Sequence, residues 1–117
     1  MNRYLRLENE FNDELKSLSN IQREFDLYQI EKFIARSPEF FCLELNGEAG
    51  ELANLEKKIW KGRDISQEKL QDEAADVFIA LMNYCNARKI DLSEAVKIKL
   101  NIIENNRLIL ESQNKTY

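Results

Sequence analysis

The stretch SPEFFCLELNGEAGELANLEKKIWKGRD, residues 37–64, decides the fold. Ser37 is a strong N-cap residue, Pro38 suits the first helical position, and Glu39 places an acid in the first turn. Apolar residues then recur at helical spacing until Gly62, which suits the left-handed position just past a helix end. Lys57, Lys58 and Lys61 stand in the turns before it. The stretch therefore predicts one helix from Pro38 to about Lys61. Upstream, Leu7, Phe11, Leu15, Leu18, Ile21, Phe25, Tyr28, Phe33 and Ile34 keep helical spacing from Leu5 to about Arg36, interrupted by SLSN at residues 17–20. Downstream, Asp64 or Ser66 opens a helix running through Gln71 and Val77 to about Arg88. DLSE at residues 91–94 has the form of a capping box for a last helix reaching about Glu111. Connections of two to five residues make neighbouring helices antiparallel, so the expected architecture is an all-α antiparallel bundle of four to five helices.

Composition narrows the chemistry. The chain has one proline, three glycines and no stretch of alternating β-branched residues that would suggest a sheet. Its net charge of −4 gives no strongly basic surface, so nucleic acid is not the expected partner. No apolar run approaches membrane-spanning length, and MNRYLRLENEF at residues 1–11 lacks the apolar core of a signal peptide. Cys42 and Cys85 are too few for a disulfide scaffold, and the expected location is cytoplasmic, without a membrane partner. The absence of histidine removes Ser-His-Asp and Cys-His catalysis, zinc–histidine sites and any imidazole base. Chemistry here must run on carboxylates, lysine or a bound cation.

Two features point to such chemistry. Gly47 and Gly50 lie inside a helix, where each costs about 1 kcal/mol against alanine. Missing side chains let a neighbouring helix or a ligand come close. Beside them, Glu48 and Glu51 are three residues apart, as are Glu73 and Asp76 on the next helix. Residues at i and i+3 share a face, so two antiparallel helices can direct four carboxylates into one space. That arrangement needs positive charge between the acids, and all-oxygen ligation suits Mg²⁺ or Mn²⁺. Di-iron helical bundles require Glu-x-x-His pairs, which this chain lacks. The rival account is a solvated acidic face, against which stand the glycines and the apolar Ala74, Val77, Phe78 and Leu81 beside Glu73 and Asp76.

At these residues the sequence resembles the MazG-like superfamily of all-α NTP pyrophosphohydrolases. Glu48-x-x-Glu51, twenty-one intervening residues and Glu73-x-x-Asp76 are similar to its ExxE–ExxD signature. LNGEAGEL at 45–52 is similar to its LxGExGEL segment, and Lys57 and Lys58 to its following basic pair. DEAADV at 72–77, IDLSEAV at 90–96 followed by Lys99, and the Tyr28–Gln29 pair resemble further segments. The resemblance spans about residues 25–107. It implies an N-terminal helical extension over 1–24, a pyrophosphohydrolase domain over 25–112 and a C-terminal tail over 113–117.

The resemblance implies that Glu48, Glu51, Glu73 and Asp76 are both catalytic and metal-binding. They would hold Mg²⁺ (or Mn²⁺) while water cleaves the α–β anhydride of a nucleoside triphosphate, giving a monophosphate and pyrophosphate. Lys99 occupies the position of the family's last-helix phosphate lysine, with Lys58, Lys61 and Arg107 as further phosphate candidates. For those three, a solvated helix-end charge is the rival reading. Many relatives carry asparagine four residues after the lysine, where this chain has Ile103. Asn101, Asn105 and Asn106 are nearby, and Asn83 lies two turns beyond Asp76 on nearly the same face; Trp60, Phe40, Phe41, Tyr28 and Tyr84 are available to stack on a base, Trp60 beside Lys61 being the least core-like. The family's dimers and tetramers imply a homo-oligomer. Two other readings stay open: hydrolysis of phosphoribosyl-ATP or dUTP, and a non-catalytic helical interaction module.

Overall fold

The computed structural model describes residues 3–116, with the side chains of Glu14 and of residues 17–116. Four α-helices follow one another: α1 (Arg3–Lys32), α2 (Pro38–Trp60), α3 (Gln67–Ala87) and α4 (Leu92–Ser112). No strand occurs among the described residues, and no helix among them is long and apolar enough to cross a membrane. The all-α expectation is met with four helices rather than five. Residues 17–20 do not break α1, which runs unbroken for 30 residues. A mid-helix serine or asparagine costs only a few tenths of a kcal/mol, and Ser19 has a use for its hydroxyl, which donates to Asp91 Oδ1 at 3.2 Å.

The helix ends follow from local chemistry. Ser37 Oγ accepts from the Phe40 amide at 3.3 Å, and Ser66 Oγ from Lys69 at 3.2 Å. Asp91 Oδ1 accepts from Glu94 at 3.3 Å. After α2, Gly62 takes φ +88°, its amide donating to Ile59 O at 2.9 Å while Arg63 donates to Lys58 O at 3.0 Å. This is the paired closure that leaves a helix end with few orphan carbonyls. Lys89 (φ 60°) and Asn114 (φ 56°) take the same left-handed position after α3 and α4.

Two compact units divide the chain: residues 25–89, and residues 1–24 with 90–117. In the first, α2 and α3 pack against each other as an antiparallel pair. Arg88, at the end of α3, meets Glu39, at the start of α2, with Nη2 3.2 Å from Oε1. Phe41 and Leu55 of α2 and Ala80, Met82 and Cys85 of α3 are buried. In the second unit, the buried Gln22 side chain spans the turn before α4. Its Nε2 donates to Ile90 O at 2.7 Å, and its Oε1 accepts from Leu92 N at 3.0 Å. The apolar seam expected from Phe11 and Leu15 falls outside the described side chains; Leu18 is half-buried.

Candidate metal centre

Ser37 and the Gly62 closure fix where α2 begins and ends, and Ser66 fixes the start of α3. With both ends set, the register carries Glu48 and Glu51 on α2 to the level of Glu73 and Asp76 on α3. One carboxylate oxygen from each of Glu48, Glu73 and Asp76 lies within 4.8 Å of the others. Glu51 is not in this trio; it is exposed. Residues i and i+3 are about 60° apart around a helix, so a shared face still leaves one side chain pointing more toward solvent.

The trio is set partly inside the protein. Glu73 is 7% exposed, and Lys69 one turn earlier approaches its Oε1 at 3.4 Å. Its Oε2 and that of Glu48 are buried without a hydrogen-bond partner. A buried carboxylate oxygen with nothing to accept from is expensive. Burial pushes the Glu48 carboxyl above its ordinary range, and the charges of Glu51, Asp76, Glu73 and Glu44 push it the same way, in that order. Two orphan oxygens, three converging carboxylates and an all-oxygen donor set fit a hard divalent cation. Comparison with protein-family models, curated proteins and solved structures finds no match to this chain.

Other expected site residues fall in several places. Lys58 is half-buried on α2, Lys61 is its exposed C-cap, and Trp60 is 90% exposed at its end. Asn83 is buried on α3, facing a cavity in the same unit as the acids. Lys99 is exposed on α4 and Arg107 lies further along that helix, both in the unit that contains residues 90–117. Arg107 is already engaged: its guanidinium donates to both oxygens of Glu104 and to Glu111 Oε2 at 2.7 Å. These hydrogen bonds hold Arg107 above its ordinary range and Glu104 below it. To bind phosphate, Arg107 would have to leave them.

Gly47 and Gly50 correct one expectation. A Cβ at either position would meet no atom within 4 Å, so no neighbouring helix among the described residues approaches them. They leave bare backbone beside Glu48. Glu44, which adds to the field on Glu48, and Lys69, which pairs with Glu73, went unread in the sequence. Each stands one helical turn from an acid of the trio, and that i, i+4 spacing was the signal available.

Proposed function

We propose that this chain is a Mg²⁺-dependent nucleotide pyrophosphohydrolase, cleaving the α–β anhydride of a (deoxy)nucleoside triphosphate to a monophosphate and pyrophosphate. The observation that carries this reading is the trio Glu48, Glu73 and Asp76, with two buried carboxylate oxygens that have no partner. Glu48, Glu73 and Asp76 would hold the cation. When bound, Mg²⁺ (or Mn²⁺) supplies neutralisation of the phosphate oxygens and acidifies coordinated water. Lys69 pairs with one oxygen of Glu73 and leaves the other, buried and without a partner, for the cation. Glu51, which is exposed, would be the carboxylate that accepts the proton of the attacking water. Lys99 is assigned to the phosphates by the sequence resemblance.

Two further parts of the reading have independent support. Ile34, Leu43 and Trp60 of the 25–89 unit are 77%, 74% and 90% exposed, more apolar surface than a small unit usually leaves to water. A homo-oligomer, dimer or tetramer, would cover it. Cys85 and Cys42 are both unpaired, in keeping with a cytoplasmic location.

Mg²⁺-dependent pyrophosphate release from a nucleotide panel, paired with melting curves, tests the proposal. Mg²⁺ should raise the melting temperature of the wild type through linkage. Glu73→Gln should lose both the rise and the activity, whereas Glu51→Gln should keep most of the rise and lose activity. A melting temperature indifferent to millimolar Mg²⁺ and Mn²⁺, with no pyrophosphate released, would return the trio to a merely acidic face.

A further inference from the structure

Helix α4 carries apolar residues on two sides. Ser93 is buried, and Val96, Leu100, Ile103 and Leu110 are half-buried, which marks the side turned into the fold. At about 100° per residue, positions nine apart stand on opposite sides of a helix. Ile102 therefore lies opposite Ser93, and Ile109 opposite Leu100; the two isoleucines are 46% and 56% exposed. They belong to a stripe of Ala95, Ile98, Ile102, Asn105, Ile109 and Ser112, all exposed, that advances in alternating steps of three and four residues. Single exposed apolar residues are ordinary, but a continuous outward stripe marks a contact surface. The alternating step is that of a coiled-coil seam, with Ala95, Ile102 and Ile109 at its a positions and Ile98, Asn105 and Ser112 at d.

The polar members of the stripe say what covers it. Asn105 would bring a carboxamide into the contact, where it needs a hydrogen-bonding partner. In a parallel, in-register pair of α4 helices each layer sets a residue against itself, so Asn105 meets the partner's Asn105 and the two amides satisfy each other. In an antiparallel pair a d residue faces an a residue, and Asn105 would be stranded against alanine or isoleucine. The flanks agree. Glu94 and Lys99 hold the g and e positions, five residues apart, and in a parallel pair each g lies beside the e of the following heptad on the other helix. Glu94 then faces the partner's Lys99, and Lys99 the partner's Glu94. Antiparallel packing sets g against g and e against e and forms neither pair. Isoleucine at a favours two strands over three or four.

We propose that the outer face of α4 is a self-docking surface, through which two copies of this chain pair parallel and in register. The proposal rests on the homo-oligomer reading above and supplies an interface for it in the unit containing residues 90–117, apart from the apolar surface of the 25–89 unit. It is independent of the nucleotide reading. The seam is about two and a half heptads long, too short for isolated peptides, but α4 is already helical in the fold and pairing has no helix to nucleate. Exposed rim pairs add little affinity; Glu94 and Lys99 set direction, and Lys99 can leave its pair for a phosphate.

Cross-linking and mass test this on the full chain. In a Cys42→Ser background, which removes the exposed native thiol, Ile98→Cys should give a disulfide-linked dimer under mild oxidation, because position 98 meets itself across the seam. Lys97→Cys, exposed but off the stripe, should not. Ile102→Glu should halve the mass of the wild type in light scattering at micromolar concentration, with circular dichroism reporting that the helices persist. Lys99→Glu should weaken association severalfold, and adding Glu94→Lys to it should restore the wild-type mass. Equal cross-linking at positions 97 and 98, or none at either, would overturn the proposal, as would a charge-swapped chain that associates no better than Lys99→Glu alone. A wild-type mass kept by Ile102→Glu would sink this interface and leave a homo-oligomer built on another surface. A monomeric wild type would sink both. Should Ile102→Glu fail to fold, the cysteine and charge-swap variants decide.

Discussion

Replacing Gly47 and Gly50 by alanine should stabilise the protein. Both lie in the interior of α2, both are exposed, and a Cβ at either would meet open space. No clash opposes the gain in helix propensity, which is about 0.8–1 kcal/mol per glycine in a helix interior. A Cβ at each meets open space, so the double variant should gain up to about 2 kcal/mol. With a typical urea dependence for a small domain, the unfolding midpoint should rise by roughly 1 M. Urea unfolding followed by circular dichroism, at several protein concentrations, measures this directly. A lower midpoint at every concentration would refute the reasoning, because it would mean that some part of the chain occupies the space beside Glu48. A loss that appears only as concentration rises would assign the bare backbone to a second copy. Higher stability with lost pyrophosphate release would assign it to substrate.

Three further outcomes are expected. Gln22→Ala removes two hydrogen bonds, at 2.7 and 3.0 Å, from a side chain that is 6% exposed, and should cost about 2–3 kcal/mol by urea titration; Gln22→Glu, nearly isosteric, should also be destabilising because a carboxylate oxygen then faces Ile90 O. Lys89→Gly should gain about 0.5–1 kcal/mol, since φ 60° strains a lysine more than the added chain freedom of glycine costs the fold; a loss would show that the Lys89 side chain has a structural partner. Glu48→Gln should be more stable than wild type without metal at neutral pH. The folded protein disfavours the ionised Glu48 carboxyl relative to the unfolded chain, so that penalty is fully present above its raised pKa. The gap should close as pH falls toward the ordinary value of 4.5; a gap that widens on acidification would reverse the assigned direction.

Most of the fold was legible because helix ends are written in residues with special local chemistry. Ser37 with Pro38, Ser66, Gly62 and Asp91 each have one conformational preference that dominates, and the helices begin and end at them. Residues 17–20 left a break or a mere soft spot open because serine and asparagine only lean away from the helix, and the helix runs through them. Lys89 and Asn114 adopt left-handed backbone that a lysine does not announce. At the candidate site, the i, i+3 spacing was enough to see that acids from two helices share a face. It could not distinguish Glu51 from the other three, because that depends on how α3 is seated against α2 and on which oxygens become buried. The Arg107 network was equally readable as i, i+3 and i, i+4 pairs with Glu104 and Glu111, which favour a self-contained charge cluster on α4.

The Gln22 contact has a consequence beyond its own two bonds. It joins residues 68 positions apart, so the helix pair bearing the acidic trio is strung between two points of the chain that one side chain ties together. The tie acts as a reversible staple: while it holds, the intervening segment is a closed loop, and its unfolded form has fewer arrangements to gain. The entropy of closing such a loop grows only with the logarithm of its length. Lengthening the segment between Gln22 and Ile90 should therefore change stability little, provided the staple stays shut. Opening the staple would free the two ends of that segment without unpacking it, because α2 and α3 belong to a compact unit of their own.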